Sequence, residues 1–341
     1  MRRRSGVTLL ECLVAIFVMG IGLIALLTLF PIAALRMYVA IQSECTYQTG
    51  SNAMAIATLK GLPNDSVVLG TGYYKNPGIP GATNDAVSGS PSYPVFIDPV
   101  GWRTTPLGTP AQTWIGGGAP GGPAYIGRSS VSFVNNPAAG TSTQAGYQWF
   151  TRLDDIDFES ALPGTGNSPP GTPRLLLPVP PAPQPVFTRS INYSYAFMCQ
   201  RPNYADQTIV DVAVVVYNKR PLSMTGTLSL PEYVYPNSAF NIASSTIQIN
   251  YGAGGVPPPM RVGDWVLDAT PVTSGGNIVS AHAYFYRAVG VTDIGGNITE
   301  IETETPIRGF PINANANPNN GTIVILDGVA EVYQRGTIRL Q

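Results

Sequence analysis

The first 35 residues constrain this chain more than any other stretch. No charged residue occurs between Cys12 and Leu35, and this run is longer than the ~20 residues that an apolar helix needs to cross a bilayer. Three arginines at positions 2–4 precede it, so the positive-inside rule predicts a cytoplasmic N-terminus and export of the chain that follows Leu35. Glu11 lies at the start of the run and is expected to have a partner, because a carboxylate costs about 2.5–3.5 kcal/mol at the bilayer centre and less near its edge.

The residues around Glu11 also carry a family resemblance. Residues 5–11 read Ser-Gly-Val-Thr-Leu-Leu-Glu, which resembles the class III leader and cleavage site of type IV pilins and type II secretion pseudopilins. The resemblance implies that a prepilin peptidase cuts after Gly6 and that Val7 becomes the N-methylated first residue. It also implies that Glu11 neutralises the N-terminal ammonium of a neighbouring subunit in a filament. The family usually has Phe where Val7 stands, and its helix proline often lies earlier than Pro31, so the resemblance is to a minor or divergent member.

Two other interpretations apply to the same segment. A secretory signal peptide would also begin with arginines, and its cleavage region would fall at residues 31–34, but its apolar core is usually only about 7–15 residues long. An uncleaved membrane anchor would keep the whole run. The signal peptide would also leave Glu11 unexplained.

The composition favours loops and β-structure over a helical bundle. The chain has 37 glycines and 32 prolines in 341 residues, and 11% of its residues are charged, against about 25% on average. A net charge of −1 gives no electrostatic basis for binding nucleic acid or an anionic membrane surface. Three cysteines are too few for a disulfide framework, so free thiols are favoured, with a Cys45–Cys199 pair left open.

The N-terminal run continues as a predicted long helix over residues 7–62. Residues 7–35 would be transmembrane, and the apolar residues that follow recur at spacings of three and four, typical of an amphipathic helix. Gly61 and Pro63 are expected to end it. Pro31 removes one backbone hydrogen bond and is expected to kink or locally melt the helix.

The remainder predicts two β-rich regions. Residues 63–252 would hold a Gly- and Pro-rich loop region and a pilin-like antiparallel head. Its clearest strands are at 190–199 and 208–217, and two weaker ones at 227–230 and 245–251 are expected in the same sheet. Three consecutive prolines at 257–259 follow a predicted boundary, so residues 253–341 are expected to form a small all-β module, a barrel or sandwich that includes one strand at 322–333. The predicted fold class is α+β, with the long helix packed on the sheet.

The sequence offers little catalytic chemistry. His282 is its one histidine and lies in a predicted strand, so we interpret it as structural. Asp154, Asp155 and Asp157 form the densest acidic cluster, which has oxygen ligands suited to calcium but lacks the spacing of an EF-hand loop. A solvated acidic loop is the preferred interpretation. We therefore predict no catalytic residue and no enzyme, with calcium the one cofactor left open.

Taken with the resemblance, these features predict a structural subunit, a minor pilin or pseudopilin of a type IV pilus-like or type II secretion filament. It would be a single-pass protein of the bacterial inner membrane, with its bulk in the periplasm or in an extracytoplasmic filament. The resemblance implies three kinds of partner: prepilin peptidase, other pilin or pseudopilin subunits, and the inner-membrane assembly platform with its ATPase. The alternative is a membrane-anchored periplasmic binding protein or enzyme that acts through residues 253–341.

Overall fold

The computed structural model describes residues 9–70, 74–75, 90–101, 114–116, 124–134, 149–152, 156–157, 174–176, 188–190, 192–220, 232–240, 244–274, 277–308 and 321–339. The chain divides into two units, Met1–Gln48 and Thr49–Gln341. The end of the long helix, from Thr49 onward, and all the β-strands belong to the second unit.

The predicted long helix is confirmed as α1, Leu9–Lys60. Its helical conformation continues through Pro31, so of the two outcomes expected at this residue, a kink or local melting, melting does not occur. Gly61 ends the helix with a left-handed backbone, φ 58°, a conformation that glycine adopts without the steric cost of a Cβ atom. A 3₁₀ turn at Leu62–Asn64 and a short helix α2, Ser66–Gly70, follow.

The rest of the described chain is built from β-strands, most of them antiparallel, which confirms the α+β class. In chain order they are β1 (Val95–Ile97), β2 (Gly127–Ser129), β3 (Ile156–Asp157), β4 (Arg174–Leu176), β5 (Thr188–Ser190), β6 (Tyr193–Gln200), β7 (Ile209–Asn218), β8 (Glu232–Phe240), β9 (Thr246–Asn250), β10 (Trp265–Asp268), β11 (Pro271–Ser274), β12 (Asn277–Ala281), β13 (Tyr284–Gly295), β14 (Ile298–Thr303), β15 (Gly321–Leu326) and β16 (Val329–Arg339). Besides the two large assemblies below, β11 pairs with β12, and β5 lies between β3 and β4.

A five-stranded sheet in the order β16-β7-β6-β1-β2 forms the head against which the helix packs. Only β1 and β2 pair in parallel. Alternate side chains of β7, such as Val212 and Val214, pack in one core cluster with Ala53 and Ala57 of α1. The helix approaches the sheet closely at Gly50, where an added Cβ atom would lie 2.5 Å from the Tyr333 ring.

The opposite face of the sheet is covered by a closed six-stranded barrel in the order β10-β13-β14-β9-β8-β15. Met198 and Val215 of the sheet pack there against Phe285 and Val324 of the barrel in a second core cluster. Burial on both faces explains why β7 is a nearly continuous run of apolar β-branched residues. A third cluster fills the barrel interior.

Strand pairing does not follow the predicted boundary between residues 252 and 253. The strands β8 and β9 precede this point but belong to the barrel, while β16 follows it and pairs along β7 in the sheet. The expectation that residues 245–251 join the sheet was therefore wrong, because Ile247 and Ile249 of β9 pack into the barrel interior. The strand predicted at 227–230 lies outside the described residues. The single strand predicted at 322–333 is two strands, β15 and β16, joined at Gly328 with φ 79°.

Candidate assembly helix and the groups that hold the head

The first part of α1 presents apolar side chains on every side. Its most apolar 18-residue window has a mean hydropathy of 2.8, and none of that window is buried within the protein. By length and composition the helix is sufficient to cross a membrane. Each large apolar side chain left in water costs about 1.5–3 kcal/mol relative to burial, so lipid or other apolar helices around this surface would stabilise it.

Glu11 is the only charged residue from position 9 to 35. The structure places it exposed in the first turn of α1, where the positive end of the helix dipole favours a carboxylate. The predicted cleavage and methylation residues, Gly6 and Val7, lie outside the described residues. The apolar run predicted between Cys12 and Leu35 is helical throughout.

The family model of the prokaryotic N-terminal methylation motif matches residues 1–27. The chain has a type IV pilin-like N-terminus. This pilin-like segment covers Gly6, Val7, Glu11 and the start of α1, so the resemblance noted in the sequence is confirmed. The prepilin motif implies processing by a prepilin peptidase and assembly with other pilins, and it favours a structural over an enzymatic role. Together with the apolar helix it indicates a membrane-anchored protein. No curated protein and no solved structure matches the chain.

The acidic cluster proposed for calcium is mostly outside the described residues. Asp154 and Asp155 are not described, and Asp157 ends the two-residue strand β3. Within the described ranges, no group of three or more His, Cys, Asp or Glu side chains is arranged to hold a metal ion.

None of the three cysteines forms a disulfide, in agreement with the interpretation that the sequence favoured. Cys12 is exposed, Cys45 is half-buried and Cys199 is buried in β6. Burial raises the pKa of the Cys199 thiol to about 12, a rise that the hydrogen bond with Tyr74 opposes only in part. Cys199 is therefore an inert core residue.

His282 joins two elements of the barrel region. Its Nδ1 atom lies 2.6 Å from Oδ2 of Asp268, and both side chains are buried. The other carboxylate oxygen of Asp268 accepts hydrogen bonds from the amide of Thr270, at 3.0 Å, and from its hydroxyl. The imidazole of His282, which directly follows β12, thus binds the last residue of β10. This contact is consistent with the structural role predicted for His282.

A buried network of four charged side chains, which no local sequence pattern indicated, lies at the junction of sheet and barrel. Asp98 follows β1, Arg128 lies on β2, Arg220 follows β7, and Glu232 begins β8. Arg220 donates two hydrogen bonds to the Asp98 carboxylate, at 2.8 and 2.7 Å. Nε of Arg128 lies 3.1 Å from Asp98 Oδ2, and its other end donates to Glu232.

Backbone groups complete this network. The amide of Gly101 donates to Asp98 at 2.9 Å, and the amide of Gly116 donates to Glu232 at 2.8 Å. Burial alone would disfavour the charged form of Asp98, but the charge and hydrogen bonds of Arg220, with the charge of Arg128, outweigh it. The pKa of Asp98 therefore lies below its usual value. Two arginines facing two carboxylates balance in charge and tie three sheet elements to one barrel strand.

Proposed function

We propose that this chain is a minor pilin or pseudopilin, a structural subunit of a type IV pilus-like or type II secretion filament. The observation that carries the proposal is the methylation motif of residues 1–27, which runs directly into a helix that is apolar on all sides. A cleaved and methylated motif at that position is useful to a subunit that leaves the bilayer and packs its helix against others.

In this proposal each named residue has one role. Prepilin peptidase cuts after Gly6, and the new N-terminus at Val7 is methylated. The span from Val7 to Leu35 lies first in the inner membrane, with the head in the periplasm, and then in the filament core. Glu11 receives the ammonium group of a neighbouring subunit, because a carboxylate in apolar surroundings is retained only with a partner. The assembly platform and its ATPase drive the transfer.

Processing is tested by intact mass and N-terminal sequencing of the protein from membranes of cells with and without prepilin peptidase. We expect a mature chain that begins at Val7 with one added methyl group, and an uncut chain without the peptidase. A chain that begins near Leu35 would instead mean a secreted protein. An uncut chain in both strains would mean a plain membrane anchor.

Assembly is tested with Glu11→Ala. We expect cleavage to be unchanged and incorporation into sheared filaments to fall at least tenfold, because losing a pair worth about 1.4 kcal/mol already changes an equilibrium tenfold. Glu44→Ala is the matched control, since Glu44 is also exposed on α1 but lies beyond the apolar run. Equal incorporation of the two variants would refute the role given to Glu11.

A further inference from the structure

The barrel has one seam where two neighbouring strands separate. The strands β8 and β9 pair only at Ala239–Gln248 and Phe240–Ile247. On its other side β8 pairs with β15 along nearly its whole length, from Glu232 to Ser238, with an irregularity after Pro236. The first five residues of β8 thus have a strand neighbour on one side only among the described strands.

Hydrogen-bond directions show which backbone groups face this open side. The carbonyl of Thr322 accepts from Ala269 at 2.8 Å, and its amide donates to the Thr270 hydroxyl at 3.1 Å, so both backbone groups of Thr322 point toward β10. Its partner across the ladder, Pro236, is therefore a non-hydrogen-bonded position. By strand alternation, the N–H and C=O groups of Val234 and Glu232 also point away from β15.

The facing strand also directs backbone groups toward this side of β8. Tyr251 donates its amide to Asn297 at 3.1 Å, on the β14 side, so the backbone groups of the preceding residue, Asn250, point toward β8. Proline is found in sheets where no ladder hydrogen bond is required, and Pro236 occupies such a position on the open side of β8.

A cleft of about 630 Å³ lies along the open side of β8. The first part of β8 lines one side of the cleft. The end of β9 and the loop that follows, including Gly252, Gly255 and Val256, line the other side. Its volume is within the ~300–1,000 Å³ typical of ligand sites. Glu232 is the one charged residue among the described lining residues, and its carboxylate is already bonded to Arg128 and the Gly116 amide.

We propose that this cleft binds an extended, uncharged polypeptide segment of a partner protein, which adds as a further strand to the side of β8 that has no strand neighbour among the described residues. A polypeptide is the ligand whose donors and acceptors repeat with the period of the open edge, and strand addition of this kind is a common mode of peptide recognition. The five residues from Glu232 to Pro236 would span about 17 Å at ~3.3 Å per residue, so the segment is short. This binding role goes beyond filament assembly and does not depend on it.

The experiment is a selection of capped, uncharged seven-residue peptides on the full-length protein in detergent micelles. We expect peptides with measurable affinity to be enriched. Val256→Trp, which fills the cleft, should weaken their binding at least tenfold. Val262→Trp is the matched control and should leave binding unchanged, because Val262 is as exposed as Val256, 66% against 64%, and does not line the cleft.

N-methylation of the selected peptides tests the strand geometry without altering the protein. Methylating alternate peptide amides removes hydrogen-bond donors on one edge and keeps every side chain. We expect at least a tenfold loss of affinity for at least one of the two alternating sets. Tolerance of both sets, absence of enriched peptides, or binding unaffected by Val256→Trp would each overturn the proposal. Self-association of the protein that Val256→Trp abolishes would also overturn it, because a second copy would then be the occupant.

Discussion

Asp98→Asn is the sharpest perturbation of the head, because it changes one charge and almost no volume. The carboxylate accepts two hydrogen bonds from Arg220 and one from the Gly101 amide, and it also faces Arg128. The asparagine amide group turns one acceptor into a donor directed at a guanidinium. Two arginines would then share the single carboxylate of Glu232 in a largely buried site.

The loss of folding free energy expected for Asp98→Asn follows from the burial of the charged side chains. Asp98 and Arg128 have fully buried side chains, and that of Arg220 is only 3% exposed. Removing one partner of a buried ion pair typically costs about 3–5 kcal/mol, because the remaining charge stays desolvated. We expect a loss in this range, which is a large fraction of the about 5–15 kcal/mol by which a domain is usually stable.

The measurement is urea unfolding of the full-length protein in detergent, followed by tryptophan fluorescence. Asp327→Asn is the matched control, because Asp327 is exposed in the turn between β15 and β16. A surface change of this kind is expected to stay within about 0.5 kcal/mol of wild type. If Asp98→Asn lowered the free energy of unfolding by less than about 1 kcal/mol, the network would not hold the head together as we infer.

Because of the Asp98 carboxylate, we also expect the head to lose stability in acid. The folded-state pKa of Asp98 is lowered, so its contribution to stability is present above the unfolded-state pKa of about 3.9 and is lost as pH falls through the folded value. Wild type should therefore lose stability below about pH 4 more steeply than Asp98→Asn, which has no proton to gain there. Parallel stability curves for the two proteins between pH 7 and pH 3 would contradict this reasoning.

Two further outcomes follow from the core. In a variant without the other two cysteines, Cys199 should not react with a maleimide at pH 8 while the protein is folded, because burial raises the pKa of its thiol to about 12. It should react once the protein is unfolded in urea. Labelling of the folded protein would contradict this prediction. Gly50→Ala should destabilise by about 1–3 kcal/mol in urea unfolding, since the new Cβ meets the Tyr333 ring, even though alanine favours helix by about 1 kcal/mol. Gly20→Ala, which meets no atom within 4 Å, should not destabilise, and an equal effect of the two would refute the close contact.

The sequence predicts those elements whose signals are local. The uncharged run and the glycine after Lys60 define α1 because helix formation and termination depend on neighbouring residues. The apolar β-branched run of β7 likewise shows a central strand. For the assembly site, Glu11 and the motif around it are contiguous in sequence, so a pattern of a few residues was sufficient to find them.

What the sequence did not show depends on distant partners. Apolar and polar residues alternate along β9 in the same way whether its apolar face packs into a barrel or onto a sheet. Only the pairing of β9 with distant strands decides which of the two it joins. Asp98 and Arg220 are separated by 122 positions, and nothing in the local sequence relates them. The sequence also carries no signal for the open side of β8, because this side depends on where β8 and β9 separate in space.

The order of the strands gives the barrel a specific relation to the head. The strands β7 and β16 are neighbours in the sheet, and every barrel strand lies between them in sequence, so the barrel is an insertion within the head. Arg220 stands where the chain leaves the sheet, and Glu232 stands where the described part of the barrel begins. Glu232 also lines the cleft. A strand bound along β8 would therefore lie next to the charge network. Glu232 binds Arg128, and Arg128 lies beside Asp98, so the network would link the bound strand to the sheet against which the last turns of α1 pack.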